Sequence, residues 1–523
     1  MRRPARLLFS GYGEESRLRM PRLLFALLLA ALALPAQDLK QFEKKVTAFT
    51  LPNGLQFLVL ERHEAPVVSF HTYVNSGSAD DPSGRTGIAH MFEHMAFKGT
   101  ETIGTLDWPA EKKAMEEVES IYDRLQAERN KGVKADPNAV AALETQVRMA
   151  IDRADAFVEP NQFARLIEEN GGSGLNAGTG LDATEYYYSL PSNRIELWFL
   201  LESQRFLHPV FREFYKERDV VMEEYRMRVE SSPEGKLLQE FRATAFEAHP
   251  YRNPPSGWPS DIGNLRRADA QEFFEKRYVP ANMTMAIVGD VDPAEAKRMA
   301  ERYFGPLPAR PLPPPIHTKE PAQQGPKMAL VESSAQPMLV IGYKRPDQYD
   351  KDDPVLDLLA MILSAGRTSW MYREMVQDKR IALEAEAVPA YPDGRYPNLF
   401  LFFVAPAQSH GVEENLKALD DLLERFKAQK VDAATLARVK AQARVQVLQR
   451  LADNAQLASL LAAYQAGYGD WRKMFTTLDD YAKVTVDDVQ RVARQYLVTQ
   501  SRTVAYTTAP PRPAQPAARG GSQ

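Results

Sequence analysis

Eight prolines fall within the twenty-two residues from Pro306 to Lys327 (PLPARPLPPPIHTKEPAQQGPK). Such a segment sustains neither a helix nor a central strand. It divides a 523-residue chain, already too long for one hydrophobic core, into two globular stretches joined by a stiff linker at 306–327. The two stretches look like distant copies of each other. The first opens with strand-like runs at Val46–Thr50, Leu55–Glu61 and Val67–Val74, followed by a helix from about Gly87. The second opens with Met328–Val331 and Met338–Tyr343, followed by a helix from about Asp353. Near their ends, FFEKRYVPANMTMAIVG (Phe273–Gly289) is echoed by VARQYLVTQSRTVAYTT (Val492–Thr508): a helix end, a tyrosine, a polar turn and a strand. Strands clustered with helices, rather than alternating singly with them, predict an α+β fold. The expectation is two homologous domains, residues 38–305 and 328–508, each a largely antiparallel sheet flanked by helices.

One segment interrupts the first copy. From Pro109 to Val158 the chain is charged, and its apolar residues keep helical spacing: Ala114, Val118, Ile121 and Leu125, then Val140, Leu143, Val147, Ile151 and Ala154. A turn around Lys131–Pro137 separates the two runs, so the segment reads as an inserted helical hairpin packed as a short antiparallel coiled coil.

Both chain ends have their own character. Residues 1–37 read as a signal peptide: arginines from Arg2 to Arg22 precede an apolar run from Leu23 to Ala36. That run is short of the roughly 20 residues a membrane span needs. Met20 is an alternative start, Ala33 and Ala36 are both candidate cleavage points, and an uncleaved anchor is the alternative reading. The expected address is the periplasm or another exported compartment. The tail, residues 509–523 (APPRPAQPAARGGSQ), has no means of burying a core and reads as disordered.

A net charge of -4 leaves no electrostatic footprint for nucleic acid. The chain has no cysteine, which excludes disulfides, thiolate metal sites and thiol nucleophiles. A tightly held metal must therefore use His, Asp or Glu.

The string GIAHMFEHMAFKGT, Gly87–Thr100, meets that requirement. On a helix His90 and His94 lie one turn apart on one face. Two imidazole nitrogens at that spacing can reach one tetrahedral Zn²⁺ at about 2.1 Å each. Glu93 shares the face and is placed to take a proton from metal-bound water, whose pKa zinc lowers to about 7. The order His-x-x-Glu-His is the inverted zinc-peptidase pattern.

A catalytic zinc needs a third protein ligand and an open position. His63, His71, His208, His249, His317 and His410 show no helical pairing, so a glutamate is expected. In KERDVVMEEYRMR, Lys216–Arg228, Glu217 and Glu224 stand two turns apart on one helix face, whereas Glu223 points about 100° away. Glu224 is a candidate ligand with Glu217 supporting the site. Glu196 and Glu202, in IELWFLLESQRF, are rivals on the same internal grounds, and a solvated acidic face is the bland alternative.

Together these residues resemble the pitrilysin/insulinase family of zinc metallopeptidases, which includes the mitochondrial processing peptidases. Three elements carry the likeness: His90–His94, the segment GSGLNAGTG near Gly172–Gly180, and Glu217–Glu224. It extends over about Val46–Thr508. The resemblance implies that His90, His94 and Glu224 hold Zn²⁺, that Glu93 is the catalytic base and that Glu217 assists catalysis. It also implies that Asn176 lies on a strand edge that pairs with a bound peptide. Two departures stand out. His94 and Glu224 are 130 positions apart, an excess that the hairpin explains. In the second half, an arginine and a tyrosine seven apart that grip substrate in the family align here with Val376 and Leu383. Arg373 and Arg380 are nearby, at the same spacing, and still leave no tyrosine. Family chains of this kind commonly work beside a metal-free partner that supplies the pair.

The expected activity is thus zinc-dependent endoproteolysis of peptides or small unfolded proteins by the metal-bearing subunit of a heterodimer. A non-catalytic scaffold of the same fold and a binding module with structural zinc are the alternatives. The intact His-x-x-Glu-His argues against the first, and the lack of an obvious fourth ligand against the second.

Overall fold

The computed structural model describes residues 39–509. The expected signal segment, and all but the first residue of the expected tail, lie outside the described residues. Leu39–Lys45 is a short helix that belongs to a separate unit, and the main body begins at Val46.

Two sheets organise the body. The first contains β1 (Val46–Thr50), β2 (Gln56–Glu61), β3 (Val67–Val74), β4 (Ser173–Thr179), β5 (Thr184–Pro191) and β6 (Met283–Gly289), in the order β1-β2-β6-β3-β5-β4. The second contains β7 (Lys327–Glu332), β8 (Leu339–Arg345), β9 (Ala382–Tyr391), β10 (Asn398–Pro406) and β11 (Arg502–Thr508), in the order β7-β11-β8-β10-β9. Without β1 the orders are the same, and so is the pairing. β2 runs parallel to β6 as β7 does to β11, and every other neighbour is antiparallel. The fold is α+β, a duplicated and mostly antiparallel unit.

Strand alternation decides what each face of the first sheet covers. Phe57, Val59, Val68, Phe70, Tyr186, Tyr188 and Ile287 point to one side, into a core with Phe92, Trp198, Phe199 and Phe304. Phe70 stacks on Trp198 at 4.6 Å between ring centroids. The opposite side of β3 and β6 includes small residues, among them Ser69 and Ala286. There the sheet receives a helix of the second half, Asn454–Tyr468, which buries Leu457, Ala458, Leu461 and Ala462. The exchange is mutual. Helix Pro233–Ala245 of the first half lies on β7, β8 and β11 and places Leu237, Phe241 and Ala245 among Val340, Leu399, Leu401 and Ala505. Gly342 permits this contact, because a Cβ there would stand 2.5 Å from the Phe241 ring. Each half thus lends the other a helix, and the shared core makes one body of the two.

The proline-rich seam has neither helix nor strand from 308 to 326. Its Glu320 carboxylate accepts from the backbone N–H groups of Glu247 (2.8 Å), Ala248 (3.0 Å) and His249 (3.0 Å) and meets Lys344 at 3.3 Å. One side chain therefore ties the seam to both halves.

The inserted segment is two helices, Trp108–Arg129 and Pro137–Asp155. Cross-pairs Arg129–Glu144 and Arg153–Glu117, each at 2.7 Å, show that they run antiparallel. Val118, Ile121, Leu125, Leu143, Val147 and Ala154 are buried as their spacing predicts, joined by Met115, Tyr122 and Ala150. No helix among the described residues is long and apolar enough to cross a membrane.

Candidate metal centre

Helix Ile88–Met95 starts sharply. Gly87 has φ of +90°, and a Cβ there would meet the Ser256 carbonyl at 2.4 Å, so the position demands glycine. The Asp81 carboxylate accepts from the N–H groups of Gly87 (2.6 Å) and Ala89 (3.1 Å), satisfying two of the donors that a helix start leaves open. Ile88, Ala89, Met91, Phe92 and Met95 then sink into the core. The remaining face, with His90, Glu93 and His94, is left toward helix Phe214–Tyr225 and β4.

Helix Phe214–Tyr225 is anchored by Phe214, Tyr215, Val221 and Tyr225 and offers Glu217 and Glu224 two turns apart. Glu224 Oε2 lies 3.6 Å from His90 Nε2 and 3.4 Å from His94 Nε2. These distances exceed the 2.7–3.2 Å of a normal hydrogen bond. Ligand atoms about 2.1 Å from a tetrahedral ion stand about 3.4 Å apart, so the three atoms have the spacing of a metal's ligands. His90, His94 and Glu224 are the group found among the described residues that could hold a metal ion.

The surrounding groups fix these three. Glu217 Oε2 sits 3.3 Å from His94 Nδ1, and its other oxygen meets Lys98, which also reaches Glu213 at 2.9 Å. Arg228 Nη1 binds Glu224 Oε1 at 2.7 Å, leaving Oε2 to face the histidines. Glu93 Oε2 accepts from the Thr179 hydroxyl at 2.6 Å. Burial, and next the neighbouring His94, lower the His90 pKa to about 4, so its ring is neutral at pH 7. Burial acts to lower His94 as well, but the facing carboxylates of Glu217 and Glu224 outweigh it and raise its pKa to about 9. Burial acts to raise Glu217, and bonds from His94 and Lys98 overcome it and hold the pKa at about 2. The adjoining His94 ring holds Glu224 at about 2. Burial raises Glu93 above the ordinary carboxylate range, opposed by the Thr179 hydroxyl.

Beside the cluster lies a cavity of about 360 Å³ lined by Glu93, His94, Lys98, Asn176, Glu213 and Glu217 among others. Asn176 is on β4, the outer strand of the first sheet, which among the described residues pairs with β5 alone, and its side chain is exposed.

The rival glutamates lie elsewhere. Glu196 binds Arg302 (3.1 Å) and the Tyr303 hydroxyl (2.6 Å), and Glu202 is buried 3.6 Å from Arg205. Glu223 pairs with Arg226 at 3.0 Å. His63 pairs with Asp290, His71 with Glu185 and His410 with Glu414. In the second half Val376 lies in the π-helix Tyr372–Asp378, half-buried against that core, and Leu383 is exposed on β9. Sequence reasoning did not single out Thr179, Lys98 or Arg228. The signals were there: Thr179 closes the Asn-Ala segment, and Lys98 and Arg228 each follow a candidate ligand by four residues.

Two family descriptions match the chain. Insulinase (Peptidase family M16) matches residues 57–128 and 147–257, and Peptidase M16 inactive domain matches residues 264–443. The gap between the first two ranges falls in the hairpin, across its turn. The zinc protease PqqE of Helicobacter pylori is 28% identical over 474 residues, 88% of this chain and 92% of that protein. The crystal structure of a protease from Helicobacter pylori has a TM-score of 0.74 and 26% identity, covering 89% of this chain and 99% of its own. The periplasmic protease PqqL of Escherichia coli has a TM-score of 0.66 at 17% identity, covering 89% of this chain and 48% of its own, a likeness of fold alone. The chain belongs to the M16 family of insulinase- and pitrilysin-like proteins. Its relatives are named zinc proteases, which places peptidase function at the level of the family.

Proposed function

We propose that this chain is an exported zinc metalloendopeptidase that hydrolyses peptides or small unfolded proteins. The observation that carries the reading is the convergence of His90 Nε2, His94 Nε2 and Glu224 Oε2 at ligand rather than hydrogen-bond spacing. Zinc held by these residues would supply Lewis acidity and make a bound water easier to deprotonate. Glu93 takes the proton of the attacking water and later delivers it to the departing amine. A C–O bond thus replaces the peptide C–N bond with no net proton consumed. Glu217 assists from behind, holding His94 by Nδ1 so that Nε2 faces Glu224, and Arg228 holds Glu224 to one oxygen. The open edge of β4 at Asn176 receives an extended substrate as an added strand, which reads backbone rather than sequence. Residues 1–37 direct the chain out of the cytoplasm, to the periplasm as for PqqL.

The active form is a heterodimer. Neither Val376 nor Leu383 has a side-chain donor for the oxyanion of the tetrahedral intermediate, and losing one such donor typically costs about 10²–10³-fold in rate. A homologous, metal-free subunit supplies the arginine and tyrosine. The test measures cleavage of an internally quenched fluorogenic peptide by the zinc-loaded chain, with and without the homologous metal-free chain. Weak turnover that the second chain raises at least tenfold, and that Glu93→Gln abolishes, supports the reading. Robust turnover by the chain alone contradicts the heterodimer, and undiminished turnover in Glu93→Gln contradicts the assignment of the base.

A further inference from the structure

The β4–β5 turn, residues 180–183, follows directly on Thr179, whose hydroxyl binds Glu93. A loop of the second half between β9 and β10 grips this turn. The Asp182 N–H donates to Asp393 Oδ2 at 3.1 Å, and the Arg395 N–H donates to Asp182 Oδ2 at 2.9 Å. The Arg395 guanidinium reaches across to the Asp182 carbonyl and to the Asn75 side-chain oxygen. The Tyr251 hydroxyl bonds both Asp182 oxygens, at 2.8 and 2.7 Å. On its other side the turn is held by the first half, through Ser78 N–H to Gly180 O (3.0 Å), Ala79 N–H to Leu181 O (2.9 Å) and the Ser78 hydroxyl to Gly180 O (3.3 Å). Leu181, Asp182 and Ala183 are buried.

From this arrangement we propose that Arg395 is a positioning residue for the catalytic base, acting from the second half. It fixes the β4–β5 turn so that Thr179 keeps its hydroxyl on Glu93 Oε2. The physical reason lies in hydrogen bonding. The Arg395 guanidinium donates to the Asp182 carbonyl and to the Asn75 side-chain oxygen, and its removal leaves both acceptors without that donor. A poorly solvated acceptor left unpaired is costly, and the turn loses its side-chain tie to the second half. Asp182 is three positions from Thr179, so a shift of the turn carries to the hydroxyl and to Glu93. The second half would thereby contribute to chemistry it does not itself perform. The inference rests on the role proposed above for Glu93.

The test compares Arg395→Ala, Thr179→Val and the double variant. It reads kcat and KM on the fluorogenic peptide with the partner chain present, zinc content, and amide exchange of residues 173–183 in the zinc-free chain. Misplacement of about 1 Å can cost as much as about 10²-fold. Arg395→Ala is expected to lower kcat about tenfold or more, to leave KM and zinc content near the parent's, and to speed exchange in β4 and its turn. The double variant is expected to be no slower than Thr179→Val, because both changes break one chain of contacts. Losses that multiply, or an unchanged kcat, would overturn the proposal, as would unchanged exchange at 173–183. If the parent cleaves no peptide, the peptidase reading fails, and exchange still decides whether Arg395 holds the turn. Should Arg395→Ala not fold, Arg395→Lys, which restores charge without the fork that spans Asp182 and Asn75, is expected to show a smaller loss of the same pattern. Parental kcat and exchange in that variant would count against the proposal.

Discussion

Glu217 Oε2 stands 3.3 Å from Nδ1 of His94, the ring nitrogen that does not face Glu224. This hydrogen bond sets which imidazole nitrogen is presented to a metal. Outer contacts of this kind typically change metal affinity or activity by about 10–100-fold. Glu217→Gln keeps the shape but removes the negative charge that Lys98 and His94 share. The account expects zinc affinity, measured by competition with a chelator, to fall by that amount while the fold stays intact. Unchanged affinity would remove Glu217 from the support of the site.

The base gives a second prediction. Glu93→Gln retains the hydrogen bond from Thr179 and does not touch the three converging atoms, so zinc content should remain that of the parent. Turnover should fall by about 10²–10⁴-fold, the usual effect of losing a general base. Loss of zinc in Glu93→Gln would mean that Glu93 is a ligand instead.

How much of this was legible beforehand differs between residues for a physical reason. His90, Glu93 and His94 lie within one and a half turns of a single helix, and local spacing alone puts them on one face. Glu224 is another matter: periodicity reports which face of a helix is buried but not which helix it meets. Glu196 and Glu202 therefore could not be set aside without family resemblance, and only the fold shows Glu202 closed in against Arg205 and Glu196 out with Arg302. The exchange of helices Asn454–Tyr468 and Pro233–Ala245 was invisible for the same reason, since an apolar stripe looks alike whether it covers its own sheet or a neighbour's. The strands of the duplicated unit were legible where alternation was strong, as in Val67–Val74. The shared strand order was not, because pairing between distant strands leaves little local trace.

Stability offers a third prediction, at Arg212. Its guanidinium is buried with Glu111 of the inserted hairpin at 2.7 Å and donates to the Ile103 carbonyl (2.9 Å) and the Thr100 carbonyl (2.6 Å). Removing one partner of a buried pair typically costs about 3–5 kcal/mol, because the remaining charge has no compensation. Arg212→Leu is expected to lower unfolding stability by that amount in urea, and Arg212→Leu with Glu111→Leu by less. Equal losses in the single and double variants would contradict the pairing argument.

A fourth prediction concerns pH. Asp357 is half-buried on helix Asp353–Ser364 and bonded by the Tyr481 hydroxyl at 2.8 Å. Burial first, and nearby Asp353 next, raise its pKa to about 7, against about 3.9 in an unfolded chain. The folded state thus keeps a proton that the unfolded state releases. The resulting stability is complete below pH about 4 and is lost as pH rises through about 7. Asp357→Asn keeps the shape and never ionises. Its urea midpoint should match the parent's near pH 4 and exceed it at pH 8. Parallel profiles for the two proteins across this range would show that Asp357 is ionised throughout.

The most direct measurement for the central claim is the zinc content of the purified chain and of His94→Ala after the same dialysis. His90, His94 and Glu224 converge at ligand spacing, so the parent should carry about one zinc per chain. His94→Ala should carry almost none and remain folded. Full zinc occupancy in His94→Ala, or a parent that takes up no zinc at all, would contradict the account.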